Sequence, residues 1–190
     1  MSTVTIIGTG NMGQAIAGLV TKGGHSAQIL GETDTDAVTG DIVVLAVPYA
    51  ALADVVATRG ASLAGRVVVD ITNPVDFATF DSLVVPADSS AAAELATALP
   101  ESQVLKAFNT TFAATLATGT VGGLTTTVLI AGDDADAKAQ LAEVVSAAGL
   151  NAIDAGPLRR ARELEAIGFA QISLAVGEKV SWAGGFGVAA

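Results

Sequence analysis

Runs of β-branched and other apolar residues alternate along the chain with alanine-rich stretches in which apolar positions recur at helical spacing. This alternation is typical of βα units arranged around a parallel sheet. The apolar runs predict strands at residues 3–7, 27–30, 42–47, 66–71, 103–107, 126–131 and 151–154. The stretches between them predict helices at residues 12–22, 51–58, 90–99 and 134–148. The pattern therefore predicts an α/β fold with a doubly wound, mostly parallel sheet.

Two local features refine this prediction. Asp133 is expected to cap the fourth helix, with Asp136 completing a capping box and Gly149 following the helix end. Residues 31–41, between the second and third strands, are rich in Thr, Asp and Gly rather than in apolar residues. A crossover normally carries a helix. This one is expected to be a turn or two of helix or a bare loop, and its composition favours the loop.

The pattern changes after Gly156-Pro157. A long helix is expected at residues 158–180, because apolar residues keep one face at helical spacing: Leu158, Ala161, Leu164, Ile167, Ala170 and Leu174. The apolar tail, residues 186–190, is expected to pack as a short strand or under a partner subunit. We therefore divide the chain into a sheet domain, residues 1–155, and a helix and tail, residues 156–190, that complete a cleft or a subunit interface.

Composition narrows the class of protein. The 190 residues suffice for one domain with a substantial core. The absence of Cys excludes disulfides, thiolate metal sites and a Cys nucleophile. The formal net charge of −10 would repel nucleic acid and an anionic membrane surface. The longest apolar run is far shorter than the ~20 residues that span a bilayer. With no secretory signal pattern, we expect a cytoplasmic protein that binds neither nucleic acid nor membrane.

The sharpest motif follows the first predicted strand and opens the first predicted helix: Gly8-Thr9-Gly10-Asn11-Met12-Gly13. Gly8 permits a tight turn, Gly10 lets the backbone approach a pyrophosphate, and Gly13 allows close packing of helix on strand. The helix amino terminus would hold the phosphates. This is the dinucleotide-binding fingerprint of the Rossmann fold; the alternative is a plain glycine turn.

Glu32 lies near the end of the second strand, where an acidic side chain accepts hydrogen bonds from the adenosine ribose hydroxyls. This position favours NAD, because a carboxylate repels the 2′-phosphate of NADP, and Asp34 and Asp36 add to the repulsion. Two alternatives stay open: Glu32 is an ordinary exposed residue of an acidic chain, or Thr33 helps to hold a phosphate.

The carboxyl ends of the other strands should line the same crevice. At the third strand we expect Ala46, Val47 and Pro48 to lie over the cofactor, although Pro48 and Pro74 also suit simple loops. At the ends of the fourth and fifth strands, small polar groups and backbone donors that suit a carboxamide come from Asn73, Pro74, Asn109 and Thr110. Ala107 and Phe108 belong to the same segment as Asn109 and line the same crevice.

Other side chains carry weaker signals. His25 is interpreted as structural, and Lys106 as one half of an ion pair, with acid–base chemistry as its alternative. Trp182 and Phe186 belong to a core or an interface, or stack on a planar ligand. The arginines near residue 160 either stabilise their surroundings or attract an anionic substrate.

The chain lacks the residues that several chemistries require. No serine-hydrolase motif, no His pair and no carboxylate cluster at metal spacing is present. Hydride transfer needs less, because a nicotinamide held against a second ring reacts through positioning. The sequence thus favours a nicotinamide-dependent oxidoreductase with no assigned catalytic residue and no metal. The alternative is a dinucleotide-binding or sensing module without turnover.

In their order and spacing, these segments resemble the NADP-dependent oxidoreductases of the deazaflavin coenzyme F-420, whose Rossmann domain is also similar to the cytosolic domain of six-transmembrane ferric reductases. The resemblance is carried by the glycine motif, Ala46-Val47-Pro48, residues 69–74, residues 106–110, residues 132–134, and residues 154–158 with the four positions 161, 162, 164 and 165 that follow.

The resemblance implies hydride exchange between a nicotinamide and the ring of F-420 or a flavin, in a cleft formed by the sheet and the C-terminal helix. It also implies a homodimer. Carried over by position, the glycine motif holds the phosphates, Val47 and Pro48 lie near the nicotinamide, and residues 107–109 lie beside the ring. Two departures stand out. The basic pair that binds the 2′-phosphate in the family is replaced by Glu32-Thr33-Asp34, and the following helix is largely deleted. The cofactor is therefore expected to be NADP or NAD, with NADH bound at least as well as NADPH.

Overall fold

Nine strands and six α-helices alternate along residues 1–189, the part of the chain that this structure, a computed structural model, describes. The strands are β1 (Thr3–Ile7), β2 (Ser26–Leu30), β3 (Ile42–Leu45), β4 (Val67–Asp70), β5 (Gln103–Lys106), β6 (Thr120–Val121), β7 (Leu124–Thr125), β8 (Thr127–Gly132) and β9 (Asn151–Gly156). The helices are α1 (Asn11–Lys22), α2 (Leu52–Leu63), α3 (Ala91–Ala98), α4 (Ala113–Thr118), α5 (Ala135–Ala147) and α6 (Ala161–Val176).

Seven strands form one sheet in the order β2-β1-β3-β4-β5-β8-β9. All neighbours pair in parallel except β5 and β8, which are antiparallel. Strands β6 and β7 form a separate small hairpin. The α/β class and the doubly wound, mostly parallel sheet are thus confirmed. Because β1 has β2 on one side and β3 on the other, the strand order reverses at the carboxyl end of β1, where ligands bind in such sheets.

Helices cover both faces of the sheet, and the central strands β1, β3, β4 and β5 contribute buried residues to two apolar clusters, one on each face. In β3, Ile42 and Val44 face the cluster that includes α1 and α5, whereas Val43 and Leu45 face the cluster that includes α2 and α3. A strand buried on both faces reads as a continuous apolar run, which helps to explain why the sequence pattern located the seven strands of this sheet to within two residues. The pattern predicted neither the β6–β7 hairpin nor α4.

The connections differ from the expectations in instructive ways. Residues 31–41 form no helix, so the loop interpretation is confirmed. Helix α2 continues to Leu63, five residues beyond its predicted end. The predicted cap of α5 is wrong: Asp134, not Asp133, accepts the hydrogen bond from the Ala137 amide, at 2.8 Å. Asp133 instead accepts from the Leu158 amide at 2.9 Å, which ties the turn before α6 to the start of α5.

The carboxyl-terminal segment also departs from the prediction. A single 3-10 turn, Leu158–Arg160, precedes α6, which ends at Val176 rather than at residue 180. Gly177 ends the helix, and Glu178 then adopts a positive φ of 57° that a helix cannot contain.

The apolar tail forms no strand in residues 186–189; Ala190 lies outside the described residues. The Phe186 amide donates to Oε1 of Gln171 on α6, at 2.9 Å. A Cβ at Gly187 would lie 2.7 Å from Leu124, so the tail packs closely on the β6–β7 hairpin. The strand prediction for the tail is therefore wrong. Side-chain and hairpin contacts replace a ladder of main-chain hydrogen bonds.

Candidate functional site

The three glycines between β1 and α1 each occupy a distinct environment. Gly8 has a φ of 124°, and a Cβ there would collide with the carbonyl oxygen of Ala46. A Cβ at Gly13 would collide with the carbonyl oxygen of Gly8. Gly10 has an ordinary φ of −71° and no atom within 4 Å of its Cβ position. Gly8 and Gly13 are thus required by the protein's own packing, whereas Gly10 opens onto free space.

That free space lies at the amino terminus of α1. Gly10 is the N-cap, and within residues 1–189 no side chain caps this twelve-residue helix. Thr9 and Asn11 are exposed beside it, and Met12 is half-buried. Uncapped main-chain amides at a helix amino terminus favour an anion. The loop therefore has the geometry and the electrostatics to hold a pyrophosphate.

The exit of β3 borders this loop. The Ala46 amide donates to the carbonyl of Ile7 at 2.8 Å, which places Ala46 directly beside Gly8. Val47 is half-buried and packs on the α2 side of the sheet. Pro48 is exposed and begins a 3-10 turn, Tyr49–Ala51, that leads into α2. These residues flank the glycine loop at the same edge of the sheet.

A cleft of about 430 Å³ opens next to the glycine loop. It is bounded by the loop itself, by the ends of β4 and β5, and by the segment that carries α6 and the residues after it. Its walls are apolar and uncharged polar side chains: Asn11, Met12, Ile71, Asn73, Phe108, Asn109, Thr111, Phe112, Ala113, Ala114, Ile172 and Trp182. The structure thus brings five of the predicted site residues into one cavity.

Two asparagines form the polar floor of this cleft. The Asn109 amide nitrogen donates to Oδ1 of Asn73 at 2.9 Å and to the carbonyl of Leu164 on α6 at 2.9 Å. Asn73 donates in return to the Asn109 carbonyl at 2.8 Å. A Cβ at Gly168 on α6 would overlap Oδ1 of Asn73, so only glycine leaves room for this pair. The amides are therefore fixed in place by α6.

The neighbouring predicted residues play different parts. Phe108 is buried with a φ of 62°, an unusual conformation for a bulky residue that often marks a functional site. Pro74, Ala107 and Thr110 are buried, so Pro74 and Ala107 shape the floor rather than face the cleft. Glu32 and Thr33 are exposed in the loop after β2, outside the cleft.

The comparisons with known proteins agree with this geometry. The family model described as NADP oxidoreductase, coenzyme F-420-dependent, matches residues 26–74. The F-420-dependent NADP reductase of Methanocaldococcus jannaschii is 32% identical over 149 residues, which cover 76% of this chain and 66% of that protein. A crystal structure of a proposed F-420-dependent NADP reductase from Arthrobacter sp. FB24 superposes over 100% of both chains, with a TM-score of 0.86 and 25% identity.

The chain belongs to this family. It also matches metalloreductase STEAP3 of Rattus norvegicus, with 38% identity over 105 residues that cover 55% of this chain and 20% of that protein. The predicted family resemblance is confirmed. The chain spans 66% of the length of the F-420-dependent NADP reductase and 20% of the length of the metalloreductase.

Below the cleft, a buried trio of charges joins the sheet to α6. Nζ of Lys106 lies 2.8 Å from Oδ2 of Asp70 and 2.8 Å from Oε1 of Glu165, and all three side chains are buried. Glu165 also accepts from the Ala91 amide, at the start of α3, at 3.1 Å. Burial raises the pKa of Glu165, although Lys106 opposes this shift. The ion-pair interpretation of Lys106 is confirmed, and its enclosure removes it from contact with a ligand.

Other predicted side chains lie away from the cleft. His25 accepts a hydrogen bond from the Ser2 amide at 3.1 Å, as expected of a structural residue. Arg159, Arg160 and Arg162 lie at the opposite end of α6 from Ile172, roughly 18 Å away along the helix at 1.5 Å per residue. Arg160 pairs with Glu163 at 3.5 Å. The three arginines are therefore not among the residues that line the cleft.

The sequence did not single out Phe112 or Ile172 as cleft residues. Phe112 stacks at a tilt on Trp182, with ring centroids 4.9 Å apart. Nothing in the pattern near residue 112 or 172 distinguishes these side chains from ordinary core residues. The stacking alternative for Trp182 did point to the cleft. Within residues 1–189, no group of three or more acidic or His side chains could hold a metal ion, and no helix could cross a bilayer.

Proposed function

We propose that this protein transfers hydride between a nicotinamide dinucleotide and a flavin or deazaflavin acceptor in the cleft beside the glycine loop. One observation carries this proposal. The uncapped amino terminus of α1 opens directly into a cavity of about 430 Å³, because Asn11 and Met12 belong to both. Family membership supports the same chemistry, since a curated relative is named an F-420-dependent NADP reductase.

The dinucleotide would be held in three parts. The main-chain amides at the start of α1 bind the pyrophosphate, and the open position at Gly10 lets it approach. Ala46, Val47 and Pro48 border the loop on the side of β3. The half-buried Asn73 and the fixed Asn109 offer amide groups to the carboxamide of the nicotinamide. The bound nicotinamide supplies or accepts the hydride.

The acceptor would enter from the α6 side of the cleft. Phe112, Trp182 and Ile172 present flat or apolar surfaces there, which suit an aromatic ring system. None of the twelve cleft residues within the described chain ionises near neutral pH. The side chains can therefore orient two rings and exclude water, while the accompanying proton is exchanged with solvent. In this proposal residues 156–190 complete the cleft.

The test is anaerobic stopped-flow mixing of the purified protein with NADH or NADPH and with oxidised F-420 or FMN. Loss of nicotinamide absorbance over repeated turnovers supports the proposal. Gly10→Val is the control. No atom lies within 4 Å of the Cβ position of Gly10, so Val should leave the packing intact and occupy the space of the phosphates. The proposal fails if no pairing gives turnover, or if Gly10→Val reacts as fast as the unaltered protein.

A second candidate is a dinucleotide-binding module without turnover. The absence of an ionisable side chain among the described cleft residues favours it. It predicts saturable binding of a dinucleotide by calorimetry with no oxidation of that dinucleotide in the presence of either acceptor. The same pair of measurements therefore separates the two candidates.

We also propose that the protein acts as a homodimer. Ile167 and Leu174 of α6 are about one-third exposed, and Phe186 and Val188 of the tail are exposed to a similar degree or more. Ile167, Phe186 and Val188, together with Leu129, line an apolar cavity of about 430 Å³ between α6 and β8. Light scattering after gel filtration should give twice the 18.7 kDa chain mass. Ile167→Glu should give the single-chain mass; a monomeric unaltered protein would contradict the proposal.

A further inference from the structure

The loop after β2 borders the half of the site that would receive the adenosine. The Gly8 amide donates to the carbonyl of Leu30, the last residue of β2, at 2.8 Å. A Cβ at Gly31 would lie 3.5 Å from the methyl group of Thr9 in the glycine loop. In doubly wound dinucleotide-binding folds, an acidic residue close to the end of this strand meets the adenosine ribose. Glu32, two residues after Leu30, is the acidic residue at this place.

The charged residues that lie near Glu32 in the sequence are all acidic. Between Lys22 and Arg59 the sequence contains no Lys or Arg, whereas the loop holds Glu32, Asp34 and Asp36. Glu32 is exposed, and within residues 1–189 its carboxylate has no hydrogen bond or ion pair. It is therefore available to accept hydrogen bonds from a bound ligand.

Two arginines reach this loop. Arg66 donates to the main-chain carbonyls of Val38 and Gly40 near the end of the loop. Arg59 of α2 reaches the part that holds the acidic residues, where its guanidinium donates to the main-chain carbonyls of Asp36, at 3.1 Å, and of Asp34. Asp34 closes the loop from within, because its Oδ2 accepts from the Gly31 amide at 2.7 Å. Arg59 thus holds the shape of the loop through the main chain. The 2′-phosphate of NADP would meet carboxylates at a place where Arg59 is bonded to the main chain.

We propose that Glu32 makes this protein select the dinucleotide that lacks the 2′-phosphate, so that it binds NADH in preference to NADPH. The carboxylate of Glu32 accepts hydrogen bonds from the ribose hydroxyls, and a phosphate on that ribose would place like charges together. This inference rests on the proposed function, because it needs a dinucleotide in the glycine loop. It departs from the NADP named in the matching family.

Titration calorimetry of the purified protein with NADH and NADPH tests this directly. We expect NADH to bind at least about tenfold more tightly. ADP-ribose and 2′-phospho-ADP-ribose should show the same ratio, which places the selectivity at the adenosine end. In Glu32→Gln we expect weaker NADH binding, stronger NADPH binding and a ratio near one. Every readout is an affinity, so no acceptor is needed.

Glu143→Gln is the matched control, because it removes one exposed carboxylate from α5 without touching the loop. It should leave both affinities unchanged, which excludes an effect of net charge alone. Equal or tighter binding of NADPH by the unaltered protein would overturn the inference and leave the proposed function standing. If the unaltered protein binds NADPH more tightly than NADH and Arg59→Met loses the affinity for NADPH, Arg59 is the phosphate-binding residue instead. Binding of neither dinucleotide would overturn both proposals.

Discussion

Nζ of Lys106 lies 2.8 Å from Oε1 of Glu165, and this buried ion pair joins the end of β5 to the second turn of α6. The contact matters for the site because α6 also fixes Asn109 through the Leu164 carbonyl. Asp70 shares the same ammonium group, so the trio has two acidic side chains for one basic one. Desolvation of these charges is costly and is offset only when every partner is in place.

Lys106→Met should destabilise the protein strongly. The substitution keeps an apolar side chain of similar length but leaves Asp70 and Glu165 buried without their cation. Loss of one partner of a buried pair costs about 3–5 kcal/mol. Urea unfolding followed by circular dichroism measures the free energy of unfolding. A change below about 1 kcal/mol, the usual limit for an exposed pair, would contradict the account.

Lys138→Met is the control for that experiment. Lys138 pairs with Asp154 at 2.8 Å, but Asp154 is largely exposed, so water replaces the lost partner. If Lys138→Met lowers the free energy of unfolding slightly and Lys106→Met lowers it strongly, burial of the ion pair accounts for the difference.

Gly168→Ala should lower both stability and dinucleotide affinity. The added methyl group would overlap Oδ1 of Asn73 and force the Asn73–Asn109 pair apart. Such overpacking costs about 1–3 kcal/mol. Thermal unfolding and NADH titration measure the two effects. Gly18→Ala is the matched control, because Gly18 lies on α1 with no atom within 4 Å of its Cβ position. It should stabilise the protein by about 1 kcal/mol through helix propensity.

Tyr49, the single tyrosine of the chain, should titrate at unusually high pH. Its hydroxyl donates to Oε2 of Glu94 at 2.6 Å, and this hydrogen bond, with burial and the Glu94 charge, raises the pKa of Tyr49 from 10.0 to about 12. The folded state therefore binds the proton more tightly than the unfolded state. Its contribution to stability is complete below pH 10 and is lost as the pH rises toward 12.

Spectrophotometric titration of the tyrosinate band measures this pKa without interference from other tyrosines. In Glu94→Gln the midpoint should move back toward the ordinary value of 10.0. An unaltered protein that titrates at the ordinary value would show that the Tyr49–Glu94 hydrogen bond does not form in solution.

Trp182, the single tryptophan, should report on the acceptor site. It stacks on Phe112 at the mouth of the cleft, so a flavin-type ring bound there should quench its fluorescence. Trp182→Ala should raise the KM for the acceptor several-fold with little change in the affinity for NADH, whereas Trp182→Phe should retain most of the function. Quenching by NADH but never by FMN or F-420 would place the acceptor elsewhere.

The sequence alone was sufficient for the parts of the structure that depend on local pattern. Strands buried on both faces read as continuous apolar runs. The glycine motif marks positions where a Cβ would collide with the backbone, as it would at Gly8 and Gly13. Both signals lie within a few residues of the feature that they predict, which explains why the sheet and the glycine loop were located correctly.

Long-range contacts could not be read in the same way. Glu165 pairs with Lys106 although 59 positions separate them in the sequence. No local pattern distinguishes Glu165 from the other acidic residues as the partner of Lys106. Helix α6 ends at Val176, four residues before its predicted end, because Gly177 caps it and Glu178 then adopts a positive φ. The cleft depends on Phe112 and Ile172, which meet only after α6 has packed on the sheet.

The most direct test of the central claim is the binding of a nicotinamide dinucleotide to the unaltered protein and to Gly10→Val, measured by calorimetry. Of the three motif glycines, Gly10 alone has open space at its Cβ position, so Val there should leave the fold intact and fill the place of the phosphates. We predict saturable binding to the unaltered protein, at least a thirtyfold loss, about 2 kcal/mol, in Gly10→Val, and nearly equal melting temperatures. Undiminished affinity in a folded Gly10→Val would contradict the claim.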